Sequence, residues 1–173
     1  MRYAQMRQMD ISNGEGVGIS LFVQGCHFHC KDCFNQETWD FNGGYEWDDK
    51  SKEKFYDLAN HSYITRISIL GGEPLAQENM NEVLLIIKEI RQKFPDKKIW
   101  LYSGYTWEEI FSDKSESNMI RQDIIKQCDM FIDGPFVSSL RNLSLLWKGS
   151  SNQRVIDVRK ALEKNDIVIC ERN

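Results

Sequence analysis

The sequence predicts an α/β fold, in the form of a partial, open β/α barrel of about five to six strand-helix units. Two observations favour this class: short apolar segments alternate with helix-like segments, and each apolar segment is followed by glycine and a polar residue. A third is length, because 173 residues fall short of the ~250 that a complete eight-unit barrel takes. We therefore expect a single domain over residues 1–173, with a sheet that stays open along one side.

Four segments have the short, continuously apolar character of strands that are buried on both faces. They are Val17–Val23, Ile64–Leu70, Ile99–Tyr102 and Met130–Ile132. Strands of this kind are typical of parallel sheets that helices cover.

The clearest helix lies between the second and third of these strands. Its apolar positions recur at a spacing of three and four residues, at Met80, Val83, Leu84, Ile87, Ile90 and Phe94. Asn79, with a glutamate three residues later, is the predicted N-cap, and Pro95 ends the helix.

Two further helices are predicted with weaker periodicity. They cover residues near Asp49–Leu58 and Met119–Cys128. The segment after Pro135 has no clear period, so the sequence predicts no regular element there.

The residues that follow the four strands are the first indication of a site. The four exits read Gln24-Gly25-Cys26, Gly71-Gly72-Glu73, Ser103-Gly104-Tyr105 and Asp133-Gly134-Pro135. Ligands of parallel α/β folds bind outside the carboxyl ends of the strands, where glycine lets the backbone approach a ligand closely. We expect these four exits to line one site.

Composition excludes several classes of protein. The balance of 22 Lys+Arg against 26 Asp+Glu gives a net charge of -4, so no overall basic field favours nucleic acid or an anionic membrane. The longest aliphatic stretch, Val83–Ile87, is far shorter than the ~20 apolar residues of a membrane helix. The first ten residues lack the apolar segment of a secretory signal, and we expect a cytoplasmic protein.

Three of the five cysteines fall within one short segment, as Cys26, Cys30 and Cys33. The spacing C-x-x-x-C-x-x-C places three thiolates on one loop, and such a loop suits a metal centre. Iron-sulfur cubanes are normally held by four cysteines, so three ligands leave one iron with an open position at which a substrate can bind.

The main alternative to an iron-sulfur cluster is a structural zinc ion, with His27 or His29 as the fourth ligand. Zinc usually draws on two separated ligand pairs, and no second pair follows downstream, which disfavours it. Both histidines are expected to be exposed loop residues. Cys128 and Cys170 lie outside the loop and are expected to be small buried hydrophobes.

The cysteine loop after the first strand, together with Gly71-Gly72-Glu73-Pro74 after the second, resembles the radical S-adenosylmethionine superfamily. Five other motifs are similar to the activating proteins of anaerobic ribonucleoside-triphosphate reductases. They are residues 10–16 (DISNGEG), 33–35 (CFN), 38–39 (TW), 132–134 (IDG) and 149–153 (GSSNQ). The likeness runs from about Tyr3 to Val158, and residues 159–173 form a possible C-terminal extension.

This resemblance implies one 4Fe-4S cluster on the three cysteines, with S-adenosylmethionine bound to its open iron. A reduced cluster would cleave S-adenosylmethionine to methionine and a 5'-deoxyadenosyl radical, which takes a hydrogen atom from a glycine of the reductase. The implied partners are the anaerobic ribonucleoside-triphosphate reductase and a flavodoxin or ferredoxin-type electron donor.

The resemblance also implies roles for particular residues. Gly71 and Gly72 would bring main-chain groups to the methionine moiety, and Glu73 would accept hydrogen bonds from its ammonium group. Ser103 and Asp133 either contact ribose or methionine or cap a following turn.

The adenine contact is expected in the cluster loop. Asp32, Cys33 and Phe34 would lie against the adenine by their position. Superfamily members commonly have an aromatic residue where this chain has Asp32, so the aromatic contact is expected from Phe34.

Two other functions remain open from the sequence. One is a radical enzyme that acts on another glycyl-radical protein or on a small molecule, although a chain this short has little material for a closed pocket. The other is an iron-sulfur or zinc module without catalytic activity. The segment Gly149–Arg154 has the small polar character of a turn or an anion site, and its role is not predicted.

Overall fold

A computed structural model describes residues 1–170, so the last three residues of the predicted C-terminal extension lie outside the described part. The strands are β1 Arg2–Asp10, β2 Gly18–Val23, β3 Tyr45–Glu46, β4 Arg66–Gly71, β5 Lys98–Tyr102, β6 Met130–Asp133 and β7 Arg154–Asp157. The helices are α1 Asp49–Ala59, α2 Met80–Lys93, α3 Trp107–Phe111, α4 Glu116–Lys126 and α5 Val158–Lys164. Two short 3-10 helices cover Gln36–Thr38 and Ser138–Leu140.

Within residues 1–170 the strands form one seven-stranded sheet in the order β3-β1-β2-β4-β5-β6-β7. The four central strands β2, β4, β5 and β6 are parallel, whereas β1, β3 and β7 join them by antiparallel pairing. The sheet does not close into a barrel, so the predicted open α/β fold is confirmed. The predicted count of five to six strand-helix units is not confirmed, because only these four strands are parallel in the described part.

The four predicted strands are all present, with ends that differ by one or two residues. The three antiparallel strands were not predicted. Residues 1–10 alternate polar and apolar side chains, which is typical of a half-buried strand. β3 has two residues and β7 has four, and segments this short leave little periodicity to detect.

The predicted helices are also present. α2 begins at Met80 and ends just before Phe94, as expected. α4 begins three residues earlier than predicted because the Ser115 side chain accepts a hydrogen bond from the Asn118 N–H and caps it. The short helix α3 was not predicted, although the capping box of Thr106 and Glu109 that opens it is visible in the sequence. Each helix of residues 1–170 is too short or too polar to cross a bilayer.

The two faces of the central sheet differ in chemistry. One face is aliphatic, and the helices bury it in the main core. The other face carries Phe22 and Leu70 near the carboxyl ends of the strands, Ser20 and Ser68 in the middle, and Arg66 at the amino end. Because side chains alternate along each strand, a run that looks continuously apolar still presents a polar second face.

Arg66 is fully buried on this second face, and the loop after β1 supplies its partners. Its Nη2 donates to the Asp10 carbonyl at 2.6 Å and its Nε donates to the Glu15 carbonyl at 3.2 Å. Its Nη1 donates to the Asn13 carbonyl and to the Ser68 hydroxyl. The guanidinium therefore holds the loop of residues 10–16 against the sheet, with charge-assisted hydrogen bonds in place of water.

The Asp10 carboxylate completes this arrangement. It is 2% exposed, lies 3.9 Å from the guanidinium, and accepts hydrogen bonds from the backbone N–H groups of Ser12 and Asn13. The DISNGEG motif is thus the sequence of a loop built around a buried arginine.

We expect Arg66→Ala to lower the free energy of unfolding by about 3–5 kcal/mol, because Asp10 and several carbonyls lose a buried partner. Denaturant unfolding under anaerobic conditions measures this value. Arg159→Ala is the control, because the Arg159 side chain is 75% exposed and its loss should change stability by less than about 0.5 kcal/mol. Equal effects of the two substitutions would contradict the role of Arg66.

Candidate functional site

A cavity of about 490 Å³ lies at the carboxyl ends of the four parallel strands. Its lining includes Cys26 from the first exit, Gly72 and Glu73 from the second, Ser103 from the third and Gly134 from the fourth. The prediction that the four exits meet at one site is therefore confirmed. The reason is topological, because parallel strands place their carboxyl ends at the same edge of a sheet.

The cluster loop, residues 26–35, folds so that all three of its thiols reach this cavity. The N–H of Cys26 donates to the Trp39 carbonyl at 3.1 Å, which ties the start of the loop to the segment that follows it. The N–H of Cys33 donates to the Cys30 carbonyl at 3.1 Å, and the N–H of Asn35 points at the Cys33 Sγ at 3.4 Å. The loop is thus held by its own backbone.

Two of the three thiols hold their protons more tightly than a free cysteine does. Burial raises the pKa of Cys26 to about 11 and also raises that of Cys30. Cys26 and Cys30 therefore keep their protons at neutral pH, and metal binding would release these protons.

No group of three or more His, Cys, Asp or Glu side chains in residues 1–170 is arranged to hold one metal ion. Cysteine ligands of a four-iron cluster bind different irons and need not converge on one point, so three separate thiols on one cavity wall fit such a cluster.

The two histidines of the loop are exposed, as predicted, and their rings contact other groups. The Nε2 of His27 lies 2.9 Å from a Glu78 carboxylate oxygen, and its ring packs against Phe41. The His29 ring stacks on Trp39 with a centroid distance of 4.6 Å. Neither histidine lines the cavity, and this placement disfavours the Cys3His alternative.

Glu73 is the most constrained polar group of the cavity. Its side chain is 2% exposed, and its Oε1 accepts hydrogen bonds from the Leu75 N–H at 2.8 Å and the Ser103 hydroxyl at 2.7 Å. Its Oε2 accepts from the Gly104 N–H at 2.8 Å. Burial raises the pKa of Glu73 to about 7, although these hydrogen bonds favour the ionised form. The carboxylate therefore joins the exits of β4 and β5.

The two glycines before Glu73 permit a close backbone contact. Gly71 has a φ of +105°, and a Cβ on Gly72 would lie 2.4 Å from the Gly25 carbonyl oxygen. The N–H groups of Gly72 and Glu73 donate to the Val23 and Gly25 carbonyls at 2.9 and 2.7 Å. These donors are used inside the protein, and the Glu73 carbonyl accepts a hydrogen bond from the Ala76 N–H at 3.1 Å. The main-chain group of these two residues that remains for a ligand is therefore the Gly72 carbonyl oxygen.

Asn79 has a function that the sequence did not indicate. It precedes α2 as predicted, but its side chain makes no capping hydrogen bond to that helix. Its Nδ2 instead donates to the carbonyls of Gln24 and Glu73, both at 3.0 Å. The prediction of Asn79 as the N-cap residue of α2 is thus confirmed, but its buried side-chain amide satisfies carbonyls at two strand exits instead of the helix N–H groups.

Asp133 is occupied by protein partners. Its carboxylate is 1% exposed, accepts a hydrogen bond from the Trp107 N–H at 2.8 Å and pairs with Arg154, which also binds Glu108. It is absent from the cavity lining, and its carboxylate accepts from the first N–H of α3 instead of capping a turn that follows Asp133. Hydrogen bonds from Arg154 lower the pKa of Glu108 to about 2.

Asp32 and Phe34 point to different surroundings. Asp32 has a φ of +57°, and its carboxylate accepts a hydrogen bond from the Ser138 hydroxyl at 2.5 Å, away from the cavity lining. Phe34 lines the cavity and packs against Phe136 with a centroid distance of 5.1 Å. Of these two predicted adenine neighbours, only Phe34 presents its side chain to the cavity.

The GSSNQ motif, residues 149–153, binds the segment that precedes it and is here called the clasp. The Gln153 Oε1 accepts hydrogen bonds from the Gly149 and Ser150 N–H groups at 2.9 and 3.2 Å, and its Nε2 donates to the Gly134 carbonyl at 3.0 Å. Ser150 is fully buried, and its Oγ accepts from the Val137 N–H at 3.1 Å. These contacts fasten residues 137–150 to the exit of β6.

The cavity extends beyond the cysteines to residues for which the sequence predicted no contact with the site. Arg7 and Asn13 line it from the region of β1 and the loop that follows, and Tyr102 lines it from β5. Trp147 and Lys148 line it from the segment before the clasp. Only the alternation along β5, which places Tyr102 on the second face, was a usable signal in the sequence.

Comparison with known proteins adds independent information. Residues 12–156 match a family model described as a 4Fe-4S single cluster domain. The chain is 35% identical over 161 residues to the anaerobic ribonucleoside-triphosphate reductase-activating protein of Escherichia coli K12, across 92% of this chain and 100% of that protein. The protein of the same name from Enterobacteria phage T4 is 31% identical over 166 residues, across 96% of this chain and 100% of the phage protein.

We expect Cys26→Ala, Cys30→Ala and Cys33→Ala each to lose the iron-sulfur cluster, because each removes one of the three thiols that line the cavity. Analysis of iron and acid-labile sulfide after anaerobic reconstitution measures the loss. Stoichiometric zinc without sulfide in the wild-type protein would instead support the zinc alternative.

Cys128→Ser and Cys170→Ser are the matched controls for these substitutions. Cys128 is 5% exposed, as predicted, whereas Cys170 is only partly buried, against the cluster of Trp100, Ile132 and Val155. Neither cysteine lines the cavity. Both variants should keep the cluster, although Cys128→Ser should cost about 1 kcal/mol of stability. Loss of iron from either variant at unchanged circular dichroism would show that the ligands are assigned wrongly.

The raised pKa of Glu73 predicts a pH-dependent stability. In the unfolded chain a glutamate titrates near 4.5, and in the fold near 7, so the folded state holds the proton more tightly. The contribution of Glu73 to the free energy of unfolding is therefore largest below pH 4.5 and is lost as pH rises to about 7. The stability difference between wild type and Glu73→Gln should change across this window and level off above it. A difference that stays constant from pH 5 to about 8 would contradict the raised pKa.

Proposed function

The chain belongs to the 4Fe-4S single cluster domain family and to the anaerobic ribonucleoside-triphosphate reductase-activating proteins, and we propose that it generates a glycyl radical on such a reductase. The family resemblance found in the sequence motifs is thereby confirmed. The observation that carries the proposal is the meeting of all three loop thiols with the four strand exits at one cavity. In this proposal the open sheet serves as a partial β/α barrel.

The residues of the cavity fit a 4Fe-4S cluster with S-adenosylmethionine. Cys26, Cys30 and Cys33 would hold three irons and leave the fourth open. When bound, this pair supplies a 5'-deoxyadenosyl radical, formed by one-electron cleavage of the sulfonium, that takes a hydrogen atom from glycine.

The chain's own residues would orient S-adenosylmethionine. Carbonyl oxygens of Gly71 and Gly72, with the Glu73 carboxylate behind them, suit the ammonium group of the methionine moiety. Ser103 acts through Glu73, because its hydroxyl donates to that carboxylate at 2.7 Å. Phe34 offers the cavity an aromatic surface for adenine. Asp133 is left out of this set because its partners are in the protein.

The shape of the cavity supports a macromolecular substrate. Phe34 and Leu143 line the cavity and are 49% and 80% exposed, so the cavity reaches the surface at these residues. A radical formed there needs a covering group that excludes water, and a segment of the reductase that carries the target glycine would provide both cover and substrate. The chain alone should therefore not convert ribonucleotides.

The proposal predicts that reconstituted protein, a chemical reductant and S-adenosylmethionine yield 5'-deoxyadenosine and, with reductase present, a glycyl-radical signal in electron paramagnetic resonance. The signal should vanish when the target glycine is replaced by alanine. The use of a chemical reductant separates this test from the identity of the flavodoxin or ferredoxin-type donor. If competent reductase gives no signal while a small molecule is converted stoichiometrically with 5'-deoxyadenosine, the small-molecule function replaces this one. No cleavage of S-adenosylmethionine at all would support a non-catalytic module.

A further inference from the structure

We infer that residues 138–148, here called the flap, form the docking surface for the glycine-bearing segment of the reductase. This inference rests on the proposed function and deepens it by locating the partner's contact.

The flap concentrates exposed apolar surface. Leu140, Leu143 and Leu146 are 42%, 80% and 49% exposed. They fall within a stretch of seven residues that contains no acidic side chain. Exposed apolar side chains that cluster, rather than scatter, mark a surface that another protein covers.

These leucines stand on an anchored loop. Arg141 forms an isolated β-bridge with Ser150, and the Ser151 N–H donates to the Leu140 carbonyl at 2.9 Å. The Trp147 ring packs edge-on against Trp100 of β5 with a centroid distance of 4.9 Å. The flap is therefore held at both ends, and its leucines are presented to solvent by a defined backbone.

The flap lies beside the cavity and the cluster loop. Leu143 and Trp147 line the cavity, and the Arg141 guanidinium lies 4.7 Å from the centroid of Phe34 in the cluster loop. The Ser138 hydroxyl donates to Asp32 of the same loop. A partner segment that enters the cavity where Leu143 is exposed would therefore contact the flap.

The charged side chains of the flap and the cavity indicate which kind of partner segment would bind there. The flap carries Arg141 and Lys148, and Arg7 also lines the cavity, although the whole chain has a net charge of -4. The carboxylate of the lining, Glu73, is buried, and the Asp32 carboxylate contacts the flap through Ser138, so the three cations outnumber the carboxylates here. This local positive charge beside leucines fits a segment with apolar side chains flanked by acidic ones.

The test compares two double variants of the holoprotein. Leu140→Glu with Leu146→Glu alters the flap at two positions outside the cavity lining. Leu85→Glu with Leu162→Glu is the matched control, because these leucines are 52% and 40% exposed on α2 and α5. Both variants carry the same change in composition and net charge. All four positions are exposed, so both variants should fold.

We expect the flap variant to bind the reductase at least about tenfold more weakly than wild type, because two leucines lose their apolar contact. Its glycyl-radical yield should fall at low reductase concentration and recover at high concentration, while 5'-deoxyadenosine formation without reductase stays unchanged. The control variant should match wild type in all three measurements. Binding by the wild-type protein should also weaken as salt is raised.

The results distinguish a failure of the proposed function from a failure of the docking surface. If wild type gives no glycyl radical with reductase, the proposed function fails. If wild type gives the radical and the flap variant binds as tightly as the control variant, the docking surface is wrong while the function stands. An affinity that does not respond to salt would overturn the acidic character assigned to the partner segment.

Discussion

The site depends on one buried carboxylate. Glu73 is almost fully removed from water and accepts hydrogen bonds from Leu75, Ser103 and Gly104, so the exits of β4 and β5 are fixed to the same two oxygen atoms. Its own N–H donates to Gly25, the residue before the first cysteine of the cluster loop. A single residue therefore sets the spacing between the thiols and the strand ends. Removing its carboxylate would leave three buried donors without an acceptor.

Arg66 also fixes a loop by hydrogen bonds, at the amino end of the second face of the sheet. Its guanidinium satisfies the carbonyls of the loop after β1, and that loop carries Asn13 into the wall of the cavity. Both ends of this face are thus stabilised by a buried charge with several hydrogen bonds, and the apolar core on the other side of the sheet carries the helices. This division leaves a rigid polar wall on which a cofactor can be oriented.

The cluster loop has two supports of different kinds. On one side the backbone of β2 and the Glu73 region hold it, and on the other side Phe136 and the flap pack against Phe34 and Asp32. The GSSNQ clasp fixes the flap to the exit of β6 through Gln153. A partner bound to the flap would therefore contact a segment that already touches the cluster loop. In our proposal the docking surface and the cofactor site thus belong to one structural unit.

The sequence by itself determined the open α/β class, the four parallel strands and the grouping of three thiols on one loop. These follow from local patterns, because apolar periodicity sets the elements and three cysteines within eight residues must lie on one loop. Only the tertiary structure decided which polar side chains are left for a ligand. Asp133 binds Arg154, and Asn79 binds two carbonyls at the exits of β2 and β4. Tyr102 and Lys148, in contrast, line the cavity. The role of a polar residue depends on its hydrogen-bond partners in the folded chain, and many of these are far away in sequence. The pattern of neighbouring residues therefore does not predict them.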